Sequence, residues 1–145
     1  MSKRQPASVE ELTLEYFVQA LAAENDLDRD ALNQEAQAAA KAAGLAIDDL
    51  DFGMDDKTRT ELSRHVIKAV EQADDPKIDL LLADSREGAE AGALDPLTII
   101  AAGAVVGFVI LCAKLKRLDL AKRVITFDKM PESLSKVLSG LIGLA

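Results

Sequence analysis

Asp26, Asp28 and Asp30 alternate along the chain at the spacing of the first three ligands of a calcium-binding loop. Such a loop also needs a glycine at its sharp turn and a bidentate glutamate at its close. Ala31 and Gln37 stand there instead. A second acidic stretch, with Asp49, Asp51 and Gly53, places its glycine one residue too early. Calcium chemistry fails at both, and helix capping or a solvated face accounts better for the carboxylates.

His65 is the only histidine. No cysteine lies near it in sequence, so a zinc site would have to be completed by carboxylates alone. It sits beside the predicted inner face of a helix and reads as a surface or helix-boundary residue, of the type that can also sense pH. Cys112 is the only cysteine, which excludes an intrachain disulfide. It stands inside an apolar run, where a thiol behaves as a small hydrophobe. No base can be placed beside it to make a nucleophile. Palmitoylation of this cysteine has no further signal behind it. We therefore assign no catalytic residue, no cofactor and no metal, and expect a protein that is not an enzyme.

The charge is −8 over 145 residues, and it is unevenly placed. Residues 1–96 carry 22 Asp/Glu and 10 Lys/Arg, whereas residues 97–145 carry 3 and 7. An acidic front half repels phosphate backbones, and aromatics for base stacking make up only 3% of the chain, which argues against nucleic acid as a partner. Residues 1–6 hold two basic residues with no apolar stretch after them, unlike a secretory signal.

The elements that must position these residues read as helices, as an alanine-rich, aromatic-poor composition favours. Ser8 and Glu11 match a capping box. Leu14, Phe17, Val18 and Leu21 then share one face of a helix ending near Glu24. A second helix is expected over Asp28–Ala43, with Leu32, Ala36, Ala39 and Ala43 inward and Gly44 as its stop. A third covers Lys57–Ala73, with Leu62, Val66, Ile67 and Val70 inward, and Pro76 ends it. Ile78–Ala83 is apolar and short, a strand or the start of a helix. Asp84–Gly92 reads as linker. Asp95-Pro96 resembles a helix start. Arg123–Phe127 has strand character. Pro131 opens a C-terminal amphipathic helix whose apolar face is Leu134, Val137, Leu138, Leu141 and Ile142.

The expected fold is mainly α: a small helical domain with one fully apolar helix, a short strand-like segment and a C-terminal amphipathic helix. The expected division is an acidic helical domain at 1–83, a linker at 84–95, and a unit at 96–145.

The apolar helix is the feature with functional content. Leu97–Ala113 holds no charge over 17 residues and would span about 26 Å as a helix. A bilayer core is about 30 Å thick, so the run is marginal as a membrane span. Gly103 and Gly107 form a GxxxG, beside Ala102 and Ala104, which lets helix backbones approach closely. With Phe108 they would form a packing face, in a membrane or inside a bundle. Lys114, Lys116 and Arg117 follow and would meet anionic head groups. Their position predicts an exported acidic half, which lacks an export signal.

Two expectations follow. The first is a small non-enzymatic, membrane-active or membrane-anchored protein that self-associates, a toxin-like effector or an accessory component. Its partners would be membrane lipid or its own copies, and its location membrane-associated, otherwise cytoplasmic. The second is a soluble acidic helical adaptor or immunity-type binding protein. Residues 97–113 would be its core, and a basic protein would meet its acidic N-terminal half.

Overall fold

A computed structural model of the chain describes residues 8–46, 54–91 and 103–143. Among these, the chain forms seven α-helices and no strand: α1 (Val9–Glu24), α2 (Arg29–Ala42), α3 (Asp56–Glu71), α4 (Pro76–Ala91), α5 (Ala104–Lys114), α6 (Leu118–Val124) and α7 (Glu132–Leu141).

Local chemistry explains most of the boundaries. Ser8 accepts a hydrogen bond from the Glu11 backbone N–H at 3.2 Å and starts α1. Asp28 caps α2 through the Ala31 N–H, and Asp55 caps α3 through the Thr58 N–H, both at 2.8 Å. These caps satisfy donors that the first helical turn cannot pair internally. Asp28 is therefore a cap, and Asp26 takes the left-handed position that closes α1, with φ 60°. The Leu27 N–H reaches back to the Ala22 carbonyl at 2.8 Å around that corner. Gly44, with φ 78°, closes α2 in the same way as expected. The second acidic stretch, with Asp49, Asp51 and Gly53, lies outside the described residues.

Pro76 does more than end α3. It is the first residue of α4, where its missing N–H costs nothing. The Asp75 carboxylate accepts from the N–H groups of Lys77 and Ile78 and caps that turn. Ile78–Ala83 is thus helical, and α4 continues through Ala91. The linker expected at 84–95 is helix over 84–91, and the rest of it lies outside the described residues. The helix start at Asp95-Pro96 also lies outside them.

The expected strand at Arg123–Phe127 is not formed: α6 runs to Val124 and a turn follows. Val124 fills the core and Phe127 lies against His65, so tertiary packing uses the β-branched and aromatic residues without a strand partner. Of the expected α7 face, Leu134, Val137, Leu138 and Ile142 are buried, and Leu141 is half-buried at its edge. On α2 the inner face turns slightly: Ala40 is buried and Ala43 exposed.

α5 occupies the middle of the bundle. It packs against α1, α2, α3, α6 and α7, and Phe108 meets Phe17 of α1 with ring centroids 6.3 Å apart. One hydrophobic core takes side chains from all seven helices, so the helices before and after residues 84–95 share it. α1 also lies along α4, where a Cβ on Gly88 would stand 3.7 Å from the Tyr16 ring. Ser85, Gly88 and Ala89 make this side of α4 small enough for that approach.

Candidate functional site

The structure distributes the residues singled out in the sequence among three roles. Gly103 is not inside a helix. It is the residue before α5, with φ 92° and ψ 157°, a backbone open mainly to glycine. Its carbonyl accepts the Gly107 N–H at 3.1 Å, the first hydrogen bond of α5. The helix therefore begins at Ala104 and does not include Gly103. α5 itself has 11 residues and rises about 16 Å, roughly half a bilayer core. Among the described residues, no helix is long and apolar enough to cross a membrane. Gly107 and Phe108 are buried inside the bundle, and Ala102 lies outside the described residues. Val106, Val109, Ile110, Leu111 and Cys112 are buried with them.

Two of the three bases behind α5, Lys114 and Arg117, meet the chain's own carboxylates. Lys114 Nζ donates to Glu35 of α2 at 2.8 Å. Arg117 lies 3.6 Å from Asp75 and 3.8 Å from Asp119. Lys116 is exposed and takes a left-handed backbone, φ 59°, at the corner between α5 and α6. Further along, Lys129 donates to Glu61 at 2.9 Å, and that hydrogen bond holds the Glu61 carboxyl below its usual range. The charge asymmetry of the sequence is thus partly answered within the fold, base by base.

His65 is a clamp between α3 and the end of α6. Its Nε2 lies 2.7 Å from the Arg123 carbonyl, to which the Thr126 hydroxyl also donates. The ring packs on Phe127 at 5.6 Å. Cys112 is sealed, and burial pushes its thiol up to about 12, far from a reactive thiolate. No group of three or more metal-ligating side chains occurs among the described residues.

Two features escaped the sequence. Arg59 donates to both oxygens of Glu11, at 3.1 and 2.8 Å, and joins α3 to α1. The partners are 48 residues apart, and nothing in either local pattern announces them. The other is a groove of about 460 Å³ at the end of the bundle where α1 and α5 finish and α4 begins. Leu21, Ile78, Leu81 and Leu115 supply its apolar lining, with Glu24, Asp75, Lys77 and Arg117 among its polar groups. The short apolar stretch Ile78–Ala83 supplies two of these residues, Ile78 and Leu81, and its composition carries no sign of a groove.

No protein-family signature, curated protein or solved structure matches the chain.

Proposed function

We propose that this protein is a non-enzymatic helical binding protein. It acts in water, uses α5 as its core, and meets a basic protein partner through its acidic surface. The observation that carries this reading is the burial of α5 by the chain's own helices, with Phe108 and Val109 at 1% and 0% exposure. A helix apolar on every side is either enclosed by protein or by lipid, and here five helices enclose it. A net charge of −8 favours encounter with a cationic surface and speeds association. The sealed Cys112 and the His65 ring committed to a carbonyl are consistent with a binding role rather than chemistry.

The competing reading is a membrane-active, self-associating protein. The apolar sequence itself supports it, since the run continues from α5 back to Leu97. It requires α5 to leave its helical partners and Lys114 to exchange Glu35 for a lipid phosphate. Flotation with phosphatidylserine vesicles, combined with light scattering, separates the two. A monodisperse monomer that stays in the aqueous fraction is expected. Vesicle association that survives an alkaline wash would overturn the binding-protein reading.

A further inference from the structure

We infer that α4 is a hinged outer helix. In a minor native state it leaves α1 and melts while the bundle around α5 stays folded, uncovering the side of the core that it shields. This goes beyond the binding reading and holds whichever partner is bound.

Position is the first observation. α1, α2, α3, α6 and α7 each pack on α5, whereas α4 lies outside that ring, mainly along α1 with a smaller contact to α3. α2 also buries only three residues, yet it is held against α5 and α7 and by Lys114. α4 can leave without disturbing α5.

Its hold on α1 is slight. Three of its 16 residues are buried, Leu82, Ser85 and Ala89, and only Leu82 is large. Ser85 turns its hydroxyl back to the Leu81 carbonyl of its own helix. Gly88 faces the Tyr16 ring and adds no side chain. Beyond Leu82 and the half-buried Ile78 and Leu81, little apolar area meets water when the helices part. Two grooves show that the seam is incompletely filled. One of about 460 Å³ lies beside Ile78 and Leu81 against Leu21. The other, of about 290 Å³, lies beside Arg86 and Glu90 against Thr13 and Ile67. The ion pair from Arg86 to Glu71 of α3 is 4.0 Å long and well exposed at both ends, so it contributes little.

Alone, the helix is weak. Its start is well made, with Pro76 in the first turn and the Asp75 carboxylate accepting from two N–H groups. Its C-terminal end carries Glu87 and Glu90, and its last turn holds no base, which opposes the helix dipole. Gly88 lowers helix stability further relative to alanine. A helix of 16 residues without tertiary support is marginal in water, so α4 melts once it leaves α1. The start stays tethered, because Arg117 reaches Asp75 from the α5–α6 corner at 3.6 Å. The Asp74–Pro76 corner is thus the hinge. Release removes the cover from Tyr16, Leu21 and Ile67, which border α4 on α1 and α3.

Native-state amide hydrogen exchange of the full chain, followed by NMR at rising urea below the unfolding midpoint, reads the opening residue by residue. The α4 amides are expected to be at least about tenfold less protected than the central amides of α1, α3 and α5. They should share one opening equilibrium that grows with urea, because undocking exposes surface. Ile110→Val trims the buried centre of α5, so it should speed exchange in α5 about two- to tenfold and leave α4 unchanged. Gly88→Ala sets a Cβ at 3.7 Å from the Tyr16 ring, an ordinary contact, and gains helix propensity. It should protect α4 about fivefold.

Protection of α4 equal to that of α5, with both responding alike to Ile110→Val, would overturn the inference, because α4 would then open only with the whole fold. Exchange in α4 without urea dependence would overturn it too, since that is fraying of an attached helix. Absence of any protection in α4 would overturn the closed state. None of these results bears on the binding reading, which the vesicle and scattering measurements decide.

Discussion

Lys114 Nζ donates a 2.8 Å hydrogen bond to Glu35 Oε1, tying the end of the apolar helix to the acidic helix α2. Both side chains are more than a third exposed. Water and salt therefore screen the pair, and a double-mutant cycle with Lys114→Ala and Glu35→Ala should give a coupling below about 1 kcal/mol. Urea unfolding at two ionic strengths measures it. The pair sets direction more than stability: it points the Lys114 ammonium along the surface at α2.

Phe108 should be far more consequential. It is enclosed by protein, its ring tilted against that of Phe17, so Phe108→Ala removes buried area and leaves a cavity. The expected loss is about 3–5 kcal/mol, read as a lower urea midpoint in the absence of lipid. A variant as stable as the parent in water would mean that α5 is not the core.

Arg59 and Glu11 are both about one-eighth exposed, so neither keeps its full hydration. Arg59→Met should cost about 2–4 kcal/mol, because Glu11 is left as a nearly buried carboxylate. Adding Glu11→Leu should recover much of that loss, since a matched apolar pair carries no desolvation cost. Comparing the urea midpoints of the single and double variants decides the point.

Two positive-φ positions predict opposite outcomes. Lys116 closes α5 at φ 59°, where an L residue is disfavoured, so Lys116→Gly should stabilise by about 0.5–1 kcal/mol. Gly103 stands at φ 92° before the same helix, so Gly103→Ala should destabilise by about 1–3 kcal/mol. Thermal unfolding of the two variants, measured side by side, gives the signs.

Acid should weaken the fold through identifiable carboxylates. Asp55 is held below its ordinary value of 3.8, first by the Thr58 backbone N–H and then by the Thr58 side chain. Glu61 is held below 4.5, first by the hydrogen bond from Lys129. A folded-state pKa below the unfolded one means stabilisation that is complete above the unfolded value. It is lost as pH falls through the folded value. The urea midpoint should therefore drop as pH falls below 4.5, and less steeply in Asp55→Asn/Glu61→Gln. The same bond raises the Lys129 pKa, so its contribution is complete below 10.5 and fades as pH rises through the folded value.

What the amino-acid order determined by itself is whatever depends on near neighbours. The caps at Ser8 and Asp28, the stop at Gly44, the inner faces of α1 and α3, and all but the edge of the α7 face follow from hydrogen bonds and periodicities within a turn or two. Tertiary structure decided the rest. Residues 84–91 are linker-like in composition, yet Ser85, Gly88 and Ala89 become the close-packed side of α4 once α1 lies against it. Arg123–Phe127 has strand residues but, among the described residues, no strand to pair with, and instead meets the core and His65.

The groove and the Glu11–Arg59 pair join residues far apart in the chain, which no local pattern can specify. The same limit governs the apolar run. Its hydropathy requires that it leave water, and hydropathy is blind to what encloses it. Over Ala104–Ala113 the enclosing surface is supplied by five other helices, because their amphipathic faces need that helix as much as it needs them.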